Sequence, residues 1–313
     1  MATSRIRNLR CMAAARAGLF MFLLFCFGLI SACKTSKDAV ATASQMSTTS
    51  RDLASYYSAL SQVIDNTSKL EQLQSSLLGT PFEPQDIAQL QDTQQEVQKR
   101  ANLAKTLQSL SSDFSKLTGS TDSSDVSASA NMLGAELVSI KALPTGPPIP
   151  DAIGKAGKII VLLIQEHDER KMAVHLDNTV SAVSKLFTAE KPVYESLYTT
   201  YFVLAGSLAQ ESIKRNWVDE SVLLTPALQP FGLSPTAVSP KQNYSTVLNG
   251  YALQQIATRT VSQTAAQQKA SEGMGQALQE MSKRMHKLAT DKAMPLRGDP
   301  VTLPDVETWL SQF

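Results

Sequence analysis

The densest run of chemically capable side chains is Glu166-His167-Asp168-Glu169-Arg170, with His175 eight residues beyond His167. Imidazoles and carboxylates are zinc-ligand types, but a helical zinc site sets two ligands on one face at i and i+4, as in HExxH. His167 and His175 would sit about 80° apart around a helix, with about two turns between them. No third ligand stands at a diagnostic spacing, so the run reads as a solvated stretch with an i, i+4 pair between Glu166 and Arg170. Gly154-Lys155-Ala156-Gly157-Lys158 has the composition of a phosphate loop. It lacks the GxxxxGK[ST] spacing, a hydroxyl after the lysine and a preceding strand, and reads as a small-residue helix start. Tyr194, Tyr198 and Tyr201 line one helix face with Phe202 beside them. An aromatic platform for a glycan or partner is one use of such a face; core packing with hydroxyls reaching the rim is the ordinary one, and is expected here. The three histidines (His167, His175, His286) all fall in predicted helices, and there is no G-x-S-x-G. We therefore expect no catalytic, cofactor-binding or metal residue and a non-enzymatic protein.

One residue does carry a specific chemical expectation. Arg5, Arg7, Arg10 and Arg16, with no acid among them, precede a 14-residue apolar run from Ala17 to Ile30. That is the length of a signal-peptide core and too short for an ordinary membrane span. The run ends in Ile30-Ser31-Ala32-Cys33. This resembles the lipobox of bacterial lipoproteins: an aliphatic residue, two small residues, then a cysteine. The resemblance covers about the first tenth of the chain. It implies that the Cys33 thiol receives a diacylglyceryl group, that the chain is cut before Cys33, and that the new amine is acylated too. Two or three acyl chains hold a protein stably on a membrane. By the same resemblance Lys34, in place of the aspartate that favours inner-membrane retention, implies the outer membrane, facing the periplasm. A plain secretory signal cut near Ala32 and an uncleaved anchor are the alternatives.

Charge and cysteine content narrow the rest. The whole chain carries +1, and loss of residues 1–32 with their four arginines leaves −3 over 281 residues. A near-neutral body has neither the basic footprint of a nucleic-acid binder nor a polybasic stripe for anionic lipid. Cys11 and Cys26 leave with the signal segment and Cys33 is the proposed anchor, so the body has no disulfide and is held by packing.

The elements follow from apolar spacing. Residues 33–50 are small and polar and predict a flexible tether, although the first helix could begin within it. From Asp52, Leu53, Tyr56, Leu60, Val63, Thr67, Leu70 and Leu77 recur at 3 and 4, predicting a helix of about 40 Å. Gly79, Pro81 and Pro84 end it. A second helix from Pro84 carries Ile87 to Leu117 and, after so short a link, lies antiparallel to the first. A shorter helix spans Val126 to Ile140. Pro144–Pro150 is the firmest breaker and a possible subdivision of the body. Ile159–Ile164 reads as a buried helix turn, and Pro192 is expected to kink or restart the helix that follows. Residues 219–243 form a long proline-stiffened loop where a partner could dock. A last long helix runs from about Tyr244 to Leu288, and a proline-containing tail, 291–313, ends in a short helix that docks through Val306, Trp309 and Leu310.

The expected architecture is all-α: an elongated antiparallel bundle of long helices over 51–290, with coiled-coil-like spacing. The expected function is a lipid-anchored envelope protein acting as a structural, adaptor or interaction module, with self-association open. A periplasmic carrier of a hydrophobic ligand, using Ile159–Ile164 or Met274, Met281 and Met285, is the alternative. An envelope hydrolase and a membrane-perturbing protein are further ones.

Overall fold

The computed structural model describes the backbone of residues 3–79, 84–117, 124–160, 169–215, 230, 245–290 and 303–312, and side chains from Ala39 onward except at a few helix ends. Among the described residues there are seven helices and no strand: α1 (Thr3–Leu78), α2 (Pro84–Leu117), α3 (Ser124–Ser139), α4 (Asp151–Ile160), α5 (Glu169–Lys214), α6 (Ser245–Thr290) and α7 (Pro304–Leu310). The all-α bundle of long helices is therefore what the chain forms.

The apolar stripes do the packing. In α1, Leu53, Tyr56, Tyr57, Leu60, Val63 and Ile64 are buried. Gly79 follows at φ 66°, a left-handed conformation that closes a helix at little cost only for glycine. Proline opens α2, where its missing N–H costs nothing, with Asp86 in the first turn and Lys116 in the last, both complementing the helix dipole. Ser129 of α3 donates to Asp113 of α2 at 2.7 Å, and the Lys141 N–H just past α3 donates to Glu96 at 3.0 Å, so α3 runs back along α2.

The direction of the remaining helices follows from who meets whom. Tyr57 packs on Phe187 and Tyr194 of α5, and Glu71 faces Thr199 and Val203 across a cleft, so α1 and α5 run parallel. His286 of α6 meets Asp177, Gly275 lies by Phe187, and Gly206 lies by Thr260; α6 is antiparallel to α5. Hence the α1–α2 and α5–α6 connections share one end of the bundle. Residue 39, the start of α5 and the end of α6 share the other.

Three expectations change. The tether over 33–50 ends before Ala39: Ala39, Ala43 and Met46 are buried within α1, with Thr42, Thr49 and Ser50 beside them. Small side chains at 3–4 spacing let helices approach closely, and alanine favours helix. Of the two outcomes expected at Pro192 the restart does not occur, since α5 runs through it. Both Pro192 and Thr188, whose carbonyl the proline ring leaves without its helical donor, are exposed, so water can take the bond. Pro144–Pro150 does not separate two cores, because one buried cluster includes Leu137, Leu143 and Ile153 together with residues of every helix. Residues 161–164 of the apolar run and the loop 219–243, apart from Pro230, lie outside the described residues.

In the tail, α7 seats Trp309 with no exposed surface, 4.9 Å from the Tyr56 ring and 5.6 Å from Tyr198. Trp309→Ala is expected to destabilise the body by about 3–5 kcal/mol, read from the urea midpoint. Thr308→Ala on the exposed side of the same turn should stay within about 0.5 kcal/mol. Equal midpoints for the two would mean that α7 contributes no packing.

Candidate functional site

The most polar place in the core is built on Arg100, a side chain with no exposed surface. It falls on the stripe Val97–Arg100–Leu103–Leu107, where periodicity would put an apolar residue. Glu190 holds the matching position in α5, between Leu186 and Tyr194, and is 1% exposed. The two meet in a bidentate pair: Arg100 Nε donates to Glu190 Oε2 at 2.7 Å and Nη2 donates to Oε1. Nη2 also donates to the Lys141 carbonyl at 2.8 Å, and Nη1 to the Glu96 carbonyl at 2.8 Å, with Glu96 Oε2 at 3.4 Å. Each of the five guanidinium N–H groups thus has an acceptor. Tyr194 donates its hydroxyl to Glu190 as well. Glu96 accepts from Lys99 Nζ at 2.6 Å and from the Lys141 N–H.

The electrostatics match this geometry. Burial alone would lower Arg100, but the hydrogen bonds from Glu190 hold it above its ordinary value. Burial would raise Glu96; the Lys99 and Lys141 hydrogen bonds and the two nearby cations outweigh that and lower it. Burial raises Tyr57, with the Glu190 charge adding to it, and raises Tyr194, with Tyr57 and Glu190 adding. Above the pair the aromatic rings Tyr56, Tyr57, Phe187 and Tyr194 close at centroid distances of 5.5–6.3 Å. Tyr56 shares its hydroxyl with Ser271 at 2.7 Å and accepts from Gln267 at 3.2 Å, and burial raises it too. A charge pair sealed this way offers no open face to a substrate. It locks helices together.

An open cleft of about 550 Å³ lies between α1 and α5, lined by Glu71, Gln74, Glu195, Thr199, Val203 and Ser207 among others. Burial and the charge of Asp86 raise Glu71, while Glu195 pairs with Lys191 at 3.4 Å. This is an open surface groove of mixed polar and apolar lining.

The residues singled out in sequence do not converge. Glu166, His167 and Asp168 lie outside the described residues, and Glu169 and Arg170 begin α5. His175 has a buried Nδ1 with no hydrogen-bond partner among the described residues. His286 is exposed and meets Asp177 at 2.8 Å. Among the described residues no three His, Cys, Asp or Glu side chains could share a metal ion. Gly157 of the lysine–glycine run sits inside α4, where a Cβ would come within 2.9 Å of Val138 and 3.3 Å of the Gly134 carbonyl. It is there for close helix packing. Tyr194 and Tyr198 are buried, with Tyr201 and Phe202 half-buried beside them, so the aromatic face is core. Burial pushes Tyr198 up to about 12. Met274, Met281 and Met285 are packed in the core. Cys33 falls within α1, and its side chain lies outside the described ones.

Sequence reasoning missed Arg100 and Glu190, and the missed signal was a charge standing on an apolar stripe in each of two helices. Comparison with protein-family models, curated proteins and solved structures finds no match to the chain.

The buried network sets two expectations. Arg100→Met strands the Glu190 carboxylate and should cost about 3–5 kcal/mol, whereas Arg100→Met with Glu190→Met should recover most of it; chemical denaturation of both and of Glu190→Met closes the cycle. The buried phenols give the second. Their ionisation is raised in the folded state above the unfolded value of about 10, so the stability they contribute is whole below that pH and falls as pH rises past it. Phenolate absorbance from Tyr56, Tyr57 and Tyr194 should appear only together with loss of far-ultraviolet helix signal. Phenolate of all tyrosines with helix intact would contradict their burial.

Proposed function

We propose that the chain is a lipid-anchored bacterial envelope protein, a non-enzymatic helical interaction module. Cys33 is its acylated first residue, and the outer membrane facing the periplasm is its location. The observation that carries this is the succession Arg5 to Arg16, the apolar run Ala17–Ile30 and Ile30-Ser31-Ala32-Cys33. Ala39, buried within α1, is six positions past Cys33, about 9 Å of helix, so packed residues lie close to the proposed acylation site. The ends of α1 and α5 and the starts of α2 and α6 lie at the far end of α1, about 68 Å from Cys33 at 1.5 Å per residue.

Palmitate labelling with membrane fractionation tests this on wild type and Cys33→Ser. Label and membrane retention should be lost together in the variant. Unlabelled wild type, or a variant still bound to membrane, would return residues 1–32 to an ordinary signal or anchor.

A further inference from the structure

The first half of α6 packs by one face only. Ala252, Ile256 and Gln267 turn toward the rest of the bundle, while Tyr251, Gln254, Thr258, Val261, Ala265 and Gln268 are exposed. Those six recur at 3, 4, 3, 4 and 3, the spacing of a coiled-coil seam, over about 26 Å of helix. Val261 is 71% exposed and Tyr251 48%. None of the six is charged, and from Ser245 to Gln268 the single charge is Arg259, which lies off the line.

We propose that this stripe is a self-association seam that takes α6 of a second copy, side by side and in parallel. The orientation rests on the lipid anchoring proposed above. Two copies tethered by Cys33 to one leaflet stand the same way up, with their α6 helices at equal height. A two-fold axis along the membrane normal then sets each seam residue against its own counterpart. A charged residue there would face itself, and the six positions hold none. Threonine, glutamine and alanine at seam positions bury little apolar surface, so the contact is weak in dilute solution and is sustained by crowding on the membrane.

Disulfide trapping in the full-length chain tests the seam. With Cys33 acylated and residues 1–32 removed, an added cysteine is the one free thiol. Val261→Cys on membranes under mild oxidant should give a homodimer band about tenfold stronger than Val138→Cys on the exposed side of α3. A chain with no added cysteine sets the background. Adding Thr258→Glu to Val261→Cys should cut the band about tenfold by setting like charges face to face, with far-ultraviolet helix signal unchanged. Equal yields at 261 and 138, a band insensitive to Thr258→Glu, or an adduct of Val261→Cys with a different protein would each overturn the second-copy seam. The anchoring has its own readout in the same membranes. Missing palmitate with a persistent band at 261 would sink the anchor and leave the seam, whereas palmitate present with no band would do the reverse.

Discussion

Arg100 is fully buried, and its hydrogen bonds tie two other stretches of the chain to α2. Glu190 answers from α5, the Lys141 carbonyl from the segment past α3, and the Glu96 carbonyl from the preceding turn of α2. Apolar stripes alone would not fix these elements so tightly. A seam of leucine, alanine and valine can slide by a turn and still bury similar area, because the hydrophobic effect has no direction. A bidentate ion pair cannot slide, since displacement leaves two buried charges unanswered. The tyrosines follow from the same constraint. Tyr194 donates to Glu190, and its ring packs edge-on or tilted against Tyr57, Phe187 and Tyr56. Tyr56 passes the contact on to Ser271 of α6 and to Trp309 of α7.

The network also divides the bundle along its length. Toward residue 39 nearly every inward position is buried, from Met46 in α1 to Phe114 in α2 and Met285 in α6. Toward the other end the helices thin to hairpins. In α1 beyond Thr67 no residue is buried, and among the described side chains of α6 before Gln267 only Ala252 is. The stable half and the proposed acylation site share one end. The sparse half, with its cleft and its uncharged outer stripe, stands away from it.

Much of this architecture is legible in the residues alone. The helices α1, α2, α5 and α6 follow from 3–4 spacing, the turn between α1 and α2 from Gly79 and Pro84, and the start of α4 from the break before Asp151. The aromatic face reads as core in sequence and is core in the fold. Two of the expectations changed, each for its own reason. Residues 39–50 looked like tether because alanine, serine and threonine carry little burial signal, yet small side chains are what close helix approach needs. A restart at Pro192 was one expectation because the rule counts a lost hydrogen bond, and at an exposed position water can take its place.

The sequence by itself determined the class of fold and the order of the helices, because both are written in local spacing. It could not decide which helices run parallel, nor that Arg100 and Glu190, 90 positions apart, would meet. Each of those charges is locally an anomaly on an apolar stripe. Only tertiary packing turned two anomalies into one satisfied pair, since the cost of burying a charge depends on what lies opposite it in space, not beside it in the chain.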